Sequence, residues 1–191
     1  MGGPYRTILL DPPWLESGGE GRGAQWHYPL MRTDDIIDLV LSSQSWNPAE
    51  DAHMYLWVTN NFLRDGLRCM EAWGFRYLNN VAWVKMRNGR MQTGIGRYFR
   101  GSHELMLFGV RGNGMAPEVY TTHRNVESAF YAPRTVHSRK PDGSYALIEA
   151  RSKGPRVEFF SRTARPGWDA WGNQAESQPA AIQERLPLGA A

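Results

Sequence analysis

The residues best suited to carry out a chemical reaction are four consecutive ones near the start of the chain, Asp11-Pro12-Pro13-Trp14. The carboxylate of Asp11 and the carbonyl of Pro12 accept hydrogen bonds, while the two prolines have no backbone N–H and hold φ at about −65°. Such a rigid turn can hold both hydrogens of an aromatic amine and orient its nitrogen toward an electrophile. The indole of Trp14 can stack on the attached ring. The tetrapeptide therefore indicates transfer of a group, such as a sulfonium methyl, to an aromatic amine without a metal.

The same four residues have a simpler interpretation, because such turns occur in ordinary loops and most tryptophans belong to a core. Their position favours a site. Residues 5–10 form a predicted strand that ends at Asp11, and ligands of α/β sheets bind beyond the carboxyl ends of strands. The placement therefore carries more weight than the tetrapeptide alone.

The elements that must position this turn follow from the apolar patterning. Predicted helices begin at Thr33, which we expect to act as the cap, after residues 59–61, and at Pro141. Predicted strands cover residues 5–10, 53–58, 75–85, 104–110 and 156–161. Strands that alternate with helices in this way predict an α/β domain.

Residues 16–28 and 86–103 are interpreted as loops, because they are rich in glycine and have no apolar period. We expect residues 1–175 to form one domain and residues 176–191 to form a poorly ordered tail. The sequence has no run of about 18 apolar residues that would predict a membrane span. A single cysteine, Cys69, permits no internal disulfide, and no Cys/His cluster has the spacing of a zinc site. We therefore expect a cytoplasmic protein without a metal.

The basic residues are concentrated in places, although 22 Lys and Arg against 19 Asp and Glu give a net charge of only +3. Five of them, with no acidic residue between, are Lys85, Arg87, Arg90, Arg97 and Arg100. A second basic group lies at residues 134–140. We predict that the first group contacts nucleic-acid phosphates and that Trp26 or Tyr28 offers an aromatic face to a base. An exposed loop kept soluble by its charge is the alternative.

The tetrapeptide is one of several blocks that together resemble a known family. The others are YPLMRTDD at 28–35, YLWVTNNFLRDGLRCMEAWG at 55–74, VAWVK at 81–85, ELMLFGVRG at 104–112, SRKPDGSYALIE at 138–149 and RVEFFSRTARPGWDAWGNQ at 156–174. In this order they resemble the MTA-seventy (MT-A70) family of N6-adenine methyltransferases over most of residues 6–174. The resemblance implies a Rossmann-like fold with a mostly parallel sheet and helices on both faces. It also implies a permuted motif order, in which the tetrapeptide precedes part of the cofactor site.

The resemblance further implies S-adenosyl-L-methionine as the methyl donor and assigns its contacts. Asp11 and Pro12 would hold the target amine and border the cofactor, while Pro13 and Trp14 complete the catalytic turn. Lys140 would meet the methionine carboxylate and Glu158 the ribose hydroxyls, for which a carboxylate is a good bidentate acceptor. The remaining implied cofactor contacts are Ser138, Phe160, Arg162, Asn173 and Gln174.

The polymer and the assembly stay open at this point. Few residues precede Asp11 and the stretch 162–168 is short, a compact form that resembles bacterial and phage members and favours DNA over RNA. A duplex adenine would have to leave the stack. A catalytically silent nucleic-acid-binding member is an alternative, although such members lose the acid or the prolines that this chain keeps. The chain could act as a homodimer or with a second methyltransferase subunit.

Overall fold

The computed structural model describes residues 3–15, 30–96, 98–122, 125–134 and 139–172. Within these ranges, eight strands form one sheet and three helices pack against it. The strands are β1 (Tyr5–Leu10), β2 (Pro48–Val58), β3 (Arg76–Arg87), β4 (Arg90–Met91), β5 (His103–Arg111), β6 (Ala129–Pro133), β7 (Arg156–Phe159) and β8 (Asp169–Trp171). The helices are α1 (Thr33–Ser42), α2 (Leu63–Ala72) and α3 (Gly143–Arg151).

The sheet is mixed, with the strand order β4-β3-β5-β2-β1-β7-β8 and β6 paired to β3. The strand β1 is parallel to both β2 and β7, and β7 is parallel to β8. By contrast, β5 is antiparallel to both of its neighbours. The described residues between β3 and β5 contain no helix that could cross over the sheet, so β5 returns beside β3 in the opposite direction. The predicted α/β class is confirmed. The sheet was expected to be mostly parallel, and the antiparallel pairing of β5 with β2 and β3 makes it mixed.

Side chains that alternate along the central strands build a core on each face of the sheet. Ile8 and Leu10 of β1 pack in one cluster with apolar residues of α1 and α2, whereas Leu9 belongs to the opposite cluster with Ile148 of α3. The side chains of β2 alternate in the same way, since Leu56 lies in the first cluster and Tyr55 and Trp57 lie in the second. Helices therefore cover both faces, as predicted, because the period of two in a strand sends successive apolar residues to opposite sides.

The structure corrects several local predictions. Thr33 is the first residue of α1 and not its cap; the cap position is Arg32, without a side-chain hydrogen bond, and the Thr33 hydroxyl donates to Asp65 Oδ1 at 2.8 Å. The stretch 86–103 contains the short strand β4 as well as loop. The strand β6 was missed, because its residues, AFYAP, are too few for a periodic signal and end in proline. The predicted tail 176–191 and the predicted loop 16–28 lie outside the described residues.

Strand direction brings distant parts of the chain to one edge of the sheet. The parallel strands β1, β2 and β7 end there at Leu10, Val58 and Phe159. Because β5 is antiparallel, its beginning lies at the same edge, where Leu105 pairs with Val58. The end of β3 lies next to the beginning of β5, since Val84 pairs with His103. In the part of the chain that the structure describes, no helix is long and apolar enough to cross a membrane.

Candidate active site

The turn Asp11-Pro12-Pro13-Trp14 leaves the carboxyl end of β1 and is held by backbone hydrogen bonds. Asp11 N donates to the carbonyl of Phe159 in β7 at 3.4 Å, and Met31 N donates to the carbonyl of Pro13 at 2.8 Å. The carbonyl of Pro12 accepts the backbone N–H of Trp14 at 2.9 Å. A carbonyl oxygen has two lone pairs, so one remains on Pro12 for a second donor. The turn thus has acceptor capacity left on the Pro12 carbonyl, and its predicted role toward an amine stays a prediction.

The ring of Trp14 packs inside the protein and is not exposed toward the site. It is 7% exposed, and its Nε1 donates to the carbonyl of Trp57 in β2 at 3.0 Å. The ring also stacks on Phe62, with centroids 5.4 Å apart and planes inclined by 19°. These contacts tie the turn to β2 and to the start of α2. They leave little of the indole for stacking on a substrate base, which was its predicted use.

Lys140, which precedes α3, binds the carboxylate of Asp11. Its Nζ lies 2.7 Å from Oδ1 and 2.9 Å from Oδ2, and it sits 5.5 Å from the ring centroid of Trp57. The side chains of Lys140 and Asp11 are only 11% and 18% exposed. The ion pair therefore fixes the orientation of the carboxylate that begins the tetrapeptide.

A second, partly buried carboxylate, Glu104 at the start of β5, was missed by the sequence predictions. Its Oε1 accepts from Lys85 Nζ at 2.5 Å, and its Oε2 lies 3.4 Å from Lys140 Nζ. Burial alone would raise the pKa of Glu104, but the charges and hydrogen bonds of Lys140 and Lys85 lower it overall. A glutamate at the head of the apolar run ELMLFGV was the available signal, since such a carboxylate needs a partner.

The result is a continuous ion-pair row, which we define as Lys85–Glu104–Lys140–Asp11. It joins the ends of β3 and β1 to the start of β5 and to the segment before α3. Lys85 was predicted to contact phosphate, but here its ammonium is committed to Glu104 and is largely buried. The row holds Asp11 in place, and its residues come from separate stretches of the chain.

Glu158 lies in β7, beside the strand that delivers Asp11. Its pKa is raised to about 7, chiefly by burial; the nearby charge of Asp11 also acts to raise it, and hydrogen bonds from Tyr145 and Ser161 act to lower it. The hydroxyl of Tyr145 donates to Glu158 Oε1 at 2.8 Å. A buried carboxyl that is half ionised near neutral pH is typical of a functional site.

Two arginines follow β7, and only one of them was predicted. Arg162 is half-buried, as a pocket residue would be. Arg165 was not predicted, yet its guanidinium lies 3.7 Å from the ring centroid of Tyr145 and pairs with Asp142. It therefore covers the residue that donates to Glu158.

Phe160 follows β7 in a left-handed backbone conformation, with φ of 63°. Such a conformation in a bulky residue costs about 1–3 kcal/mol, so the surrounding structure must enforce it. The ring is 9% exposed and meets the indole of Trp171 edge to face at 5.5 Å. Gly172 lies so close to Ser161 that a Cβ there would come within 2.5 Å of the Ser161 carbonyl oxygen. The strained turn after β7 thus packs tightly against the end of β8.

Several predicted contacts lie outside the described residues, namely Ser138, Asn173 and Gln174 for the cofactor and Trp26, Tyr28 and Arg97 for nucleic acid. Of the other predicted phosphate contacts, Arg87, Arg90 and Arg100 are exposed. Arg87 and Arg134 also line a cleft of about 490 Å³ between the β3–β4 turn and the end of β6.

Comparison with known proteins adds a family and several relatives. The family model described as MT-A70 matches residues 5–174. An N(6)-adenosine-methyltransferase MT-A70-like protein of Arabidopsis thaliana is 31% identical over 183 residues, which are 90% of this chain and 24% of that protein. The human N(6)-adenosine-methyltransferase catalytic subunit METTL3 is 27% identical over 91% of this chain and 29% of its own length. The type II methyltransferase M.MunI of Mycoplasma sp is 28% identical over 88% of this chain and 76% of its own. The chain thus spans about a quarter of the length of the plant and human relatives.

Proposed function

The chain belongs to the MT-A70 family, whose members are S-adenosylmethionine-dependent methyltransferases, and we propose that it methylates the N6 amine of adenine in DNA. The observation that carries this proposal is the pairing of Asp11 with Lys140 at the end of β1, one strand away from the buried carboxyl of Glu158. The first group can hold an amine and the second can hold a ribose. Both lie at the edge of the sheet where α/β proteins bind ligands.

The residues present fit the cofactor. Glu158 has its Oε1 engaged by Tyr145, and its remaining lone pairs can accept from a ribose diol. The ammonium of Lys140 already contacts both oxygens of Asp11 and one of Glu104. A methionine carboxylate would therefore replace one of these acceptors and not add to them. When bound, S-adenosylmethionine supplies an electrophilic methyl group.

For the target base, we assign the positioning to the turn itself. One oxygen of Asp11 accepts an amine hydrogen, and the free lone pair of the Pro12 carbonyl accepts the other. Lys140 and Glu104 keep the Asp11 carboxylate in place before the base arrives, so little reorganisation is needed during transfer. We also assign to the Asp11 carboxylate, which accepts one amine hydrogen, the proton that the amine must lose. Trp14 acts by anchoring the turn to β2, through the hydrogen bond to the Trp57 carbonyl.

The preference for DNA over RNA rests on the likeness to the type II methyltransferase M.MunI, which is 28% identical over 88% of this chain. The exposed arginines near the site can bind phosphates of either polymer. RNA is therefore the alternative that the experiment must separate.

The test is transfer of a tritiated methyl group to unmethylated duplex DNA and to RNA of the same sequence. We expect labelled N6-methyladenine in DNA with the wild-type chain and none with Asp11→Ala. The matched control is Asp38→Asn, which changes an exposed carboxylate on α1 and should leave transfer unchanged. Label in RNA alone would contradict the choice of polymer, and label in cytosine, or undiminished transfer by Asp11→Ala, would contradict the proposed reaction.

A further inference from the structure

The loop between β4 and β5 carries large apolar side chains in solvent. Tyr98 and Phe99 are 93% and 91% exposed, and Ile95 is 84% exposed. Exposed apolar side chains that cluster at one place mark a contact surface more often than isolated ones do. We call Ile95, Tyr98 and Phe99 the aromatic tip. The proposed methyl transfer does not use these residues.

The aromatic tip stands on a hydrogen-bonded stem. Gln92 N donates to the carbonyl of Lys85 at 2.7 Å, and Gly94 N donates to the carbonyl of Gly101 at 2.6 Å. Arg100 Nε donates to the Gly94 carbonyl at 3.0 Å. Such a stem fixes the loop at its base.

Within the tip, the backbone of Gly96 lies against the carbonyl of Phe99. A Cβ at position 96 would come within 1.9 Å of that oxygen, which no side chain can tolerate. The shape of the tip therefore requires glycine at this position. This gives a second way to disturb the tip while keeping both aromatic rings.

The tip is close in sequence to the ion-pair row and has exposed arginines near it. Phe99 precedes Glu104 of the ion-pair row by five residues, so their Cα atoms are at most about 18 Å apart, at about 3.6 Å per residue. Arg100 is exposed beside the tip, and Arg87 and Arg90 are exposed on the adjoining β3–β4 hairpin. An apolar projection surrounded by positive charge is complementary to stacked bases between phosphates.

We propose that Tyr98 and Phe99 form a wedge that enters the base stack of duplex DNA beside the target adenine. The inference rests on the proposed function, because an adenine inside a duplex must leave the stack before its amine can reach Asp11. The departing base leaves a gap, and an aromatic side chain that fills the gap recovers stacking that would otherwise be absent. The neighbouring arginines would hold the phosphates on either side.

The test compares equilibrium binding of two labelled duplexes of the same sequence, one intact and one with a single central abasic site. The abasic duplex offers the gap in advance, so the wild-type chain should bind it about tenfold more tightly, the value expected for one recovered stacking interaction. Tyr98→Ala with Phe99→Ala, and separately Gly96→Ala, should bind both duplexes alike. Tyr98→Trp with Phe99→Trp should keep the preference. Met115→Ala, which truncates a 65% exposed side chain beyond the far end of β5, is the control and should also keep it.

Equal affinity of the wild-type chain for the two duplexes would overturn the wedge, and so would a preference that survives the double alanine variant. Sedimentation of the same proteins tests whether the tip instead binds a second copy of the chain. If the wild-type chain is a dimer and the double alanine variant is a monomer, the tip is a subunit contact and the proposal is refuted. The transfer assay runs in parallel. A preference that depends on the tip, in a chain that methylates no adenine, would reject the proposed function and leave the wedge supported.

Discussion

Replacing Glu104 with glutamine tests whether the ion-pair row holds the site together. The substitution keeps the size of the side chain and removes one of two negative charges from the row. It leaves Lys85 and Lys140 with Asp11 as their remaining carboxylate in the row. All four side chains are 20% exposed or less, so water screens the change only in part.

The magnitude follows from the distances. At an effective dielectric constant of about 20, unit charges attract by about 6.6 kcal/mol at the 2.5 Å of Lys85–Glu104 and by about 4.9 kcal/mol at the 3.4 Å of Lys140–Glu104. These gross values are largely offset by the cost of removing the charges from water, and breaking a buried pair on one side costs about 3–5 kcal/mol. Glutamine still accepts one hydrogen bond, so we expect the free energy of unfolding to fall by about 3 kcal/mol at pH 7.

The pH dependence gives this effect a distinctive signature. The pKa of Glu104 is lower in the folded protein than its ordinary value of 4.5. Its contribution to stability is therefore fully present above pH 4.5 and is lost as the pH falls through the folded-state value. The difference between wild type and Glu104→Gln should be constant near neutral pH and shrink in acid.

Urea unfolding, followed by tryptophan fluorescence at pH 7 and at several values below about 4.5, measures this difference. The control is Glu71→Gln, an exposed glutamate on α2, which should change stability by less than about 0.5 kcal/mol. Methyl transfer by folded Glu104→Gln should also be slower, since Lys140 loses one of its anchors. Unchanged stability at pH 7, or a difference that stays constant in acid, would refute the view that the row is held by charge.

Two further predictions concern the cofactor and the polymer. Because burial raises the pKa of Glu158 to about 7, its ionised fraction should rise from about 0.1 at pH 6 to about 0.9 at pH 8. Calorimetry should therefore show S-adenosylmethionine binding up to about tenfold more tightly at pH 8 than at pH 6, and Glu158→Gln should reduce this dependence; an identical pH profile in both would contradict the role in ribose binding. Changing Arg87, Arg90 and Arg100 to alanine should make the slope of log affinity for DNA against log salt shallower by up to about 2.7, or about 0.9 for each phosphate that an arginine no longer neutralises. Arg111→Ala, at the far end of β5, should leave the slope unaltered, and an unaltered slope in the triple variant would reject the phosphate contacts.

The predictions that the structure confirms are those that depend on local patterns. The strand 5–10 has the predicted bounds, because an unbroken apolar run that meets Asp11 and two prolines can end only there. The α/β class followed from strands that alternate with helices. The strand β6 escaped prediction because five residues that end in proline give no period, and it is defined by its pairing with β3.

The candidate site divides in the same way. The tetrapeptide, Lys140 and Glu158 could be selected as chemically suited residues, and their assigned roles stay predictions. Glu104 was missed although its place at the head of an apolar run was a signal. Its partners Lys85 and Lys140 could not be named from the sequence, since a carboxylate at the start of a strand has many potential partners. Trp14 and Lys85 were assigned to ligands on the basis of residue type, whereas the fold places Trp14 in the core and Lys85 in a partly buried ion pair.

Local sequence dictates which residue types follow which strands, because hydrophobic period and turn chemistry are properties of neighbours in the chain. The acceptor turn after β1 and the family of the chain could therefore be predicted. The antiparallel direction of β5 is a property of the folded chain, in which the first residues of β5 meet the last residues of β2 and β3, next to the end of β1. That reversal brings Glu104 to within 3.4 Å of Lys140 and so completes the row that holds Asp11. Charge pairing depends on distance in space, and strand direction, which no local pattern encodes, sets which charges become neighbours.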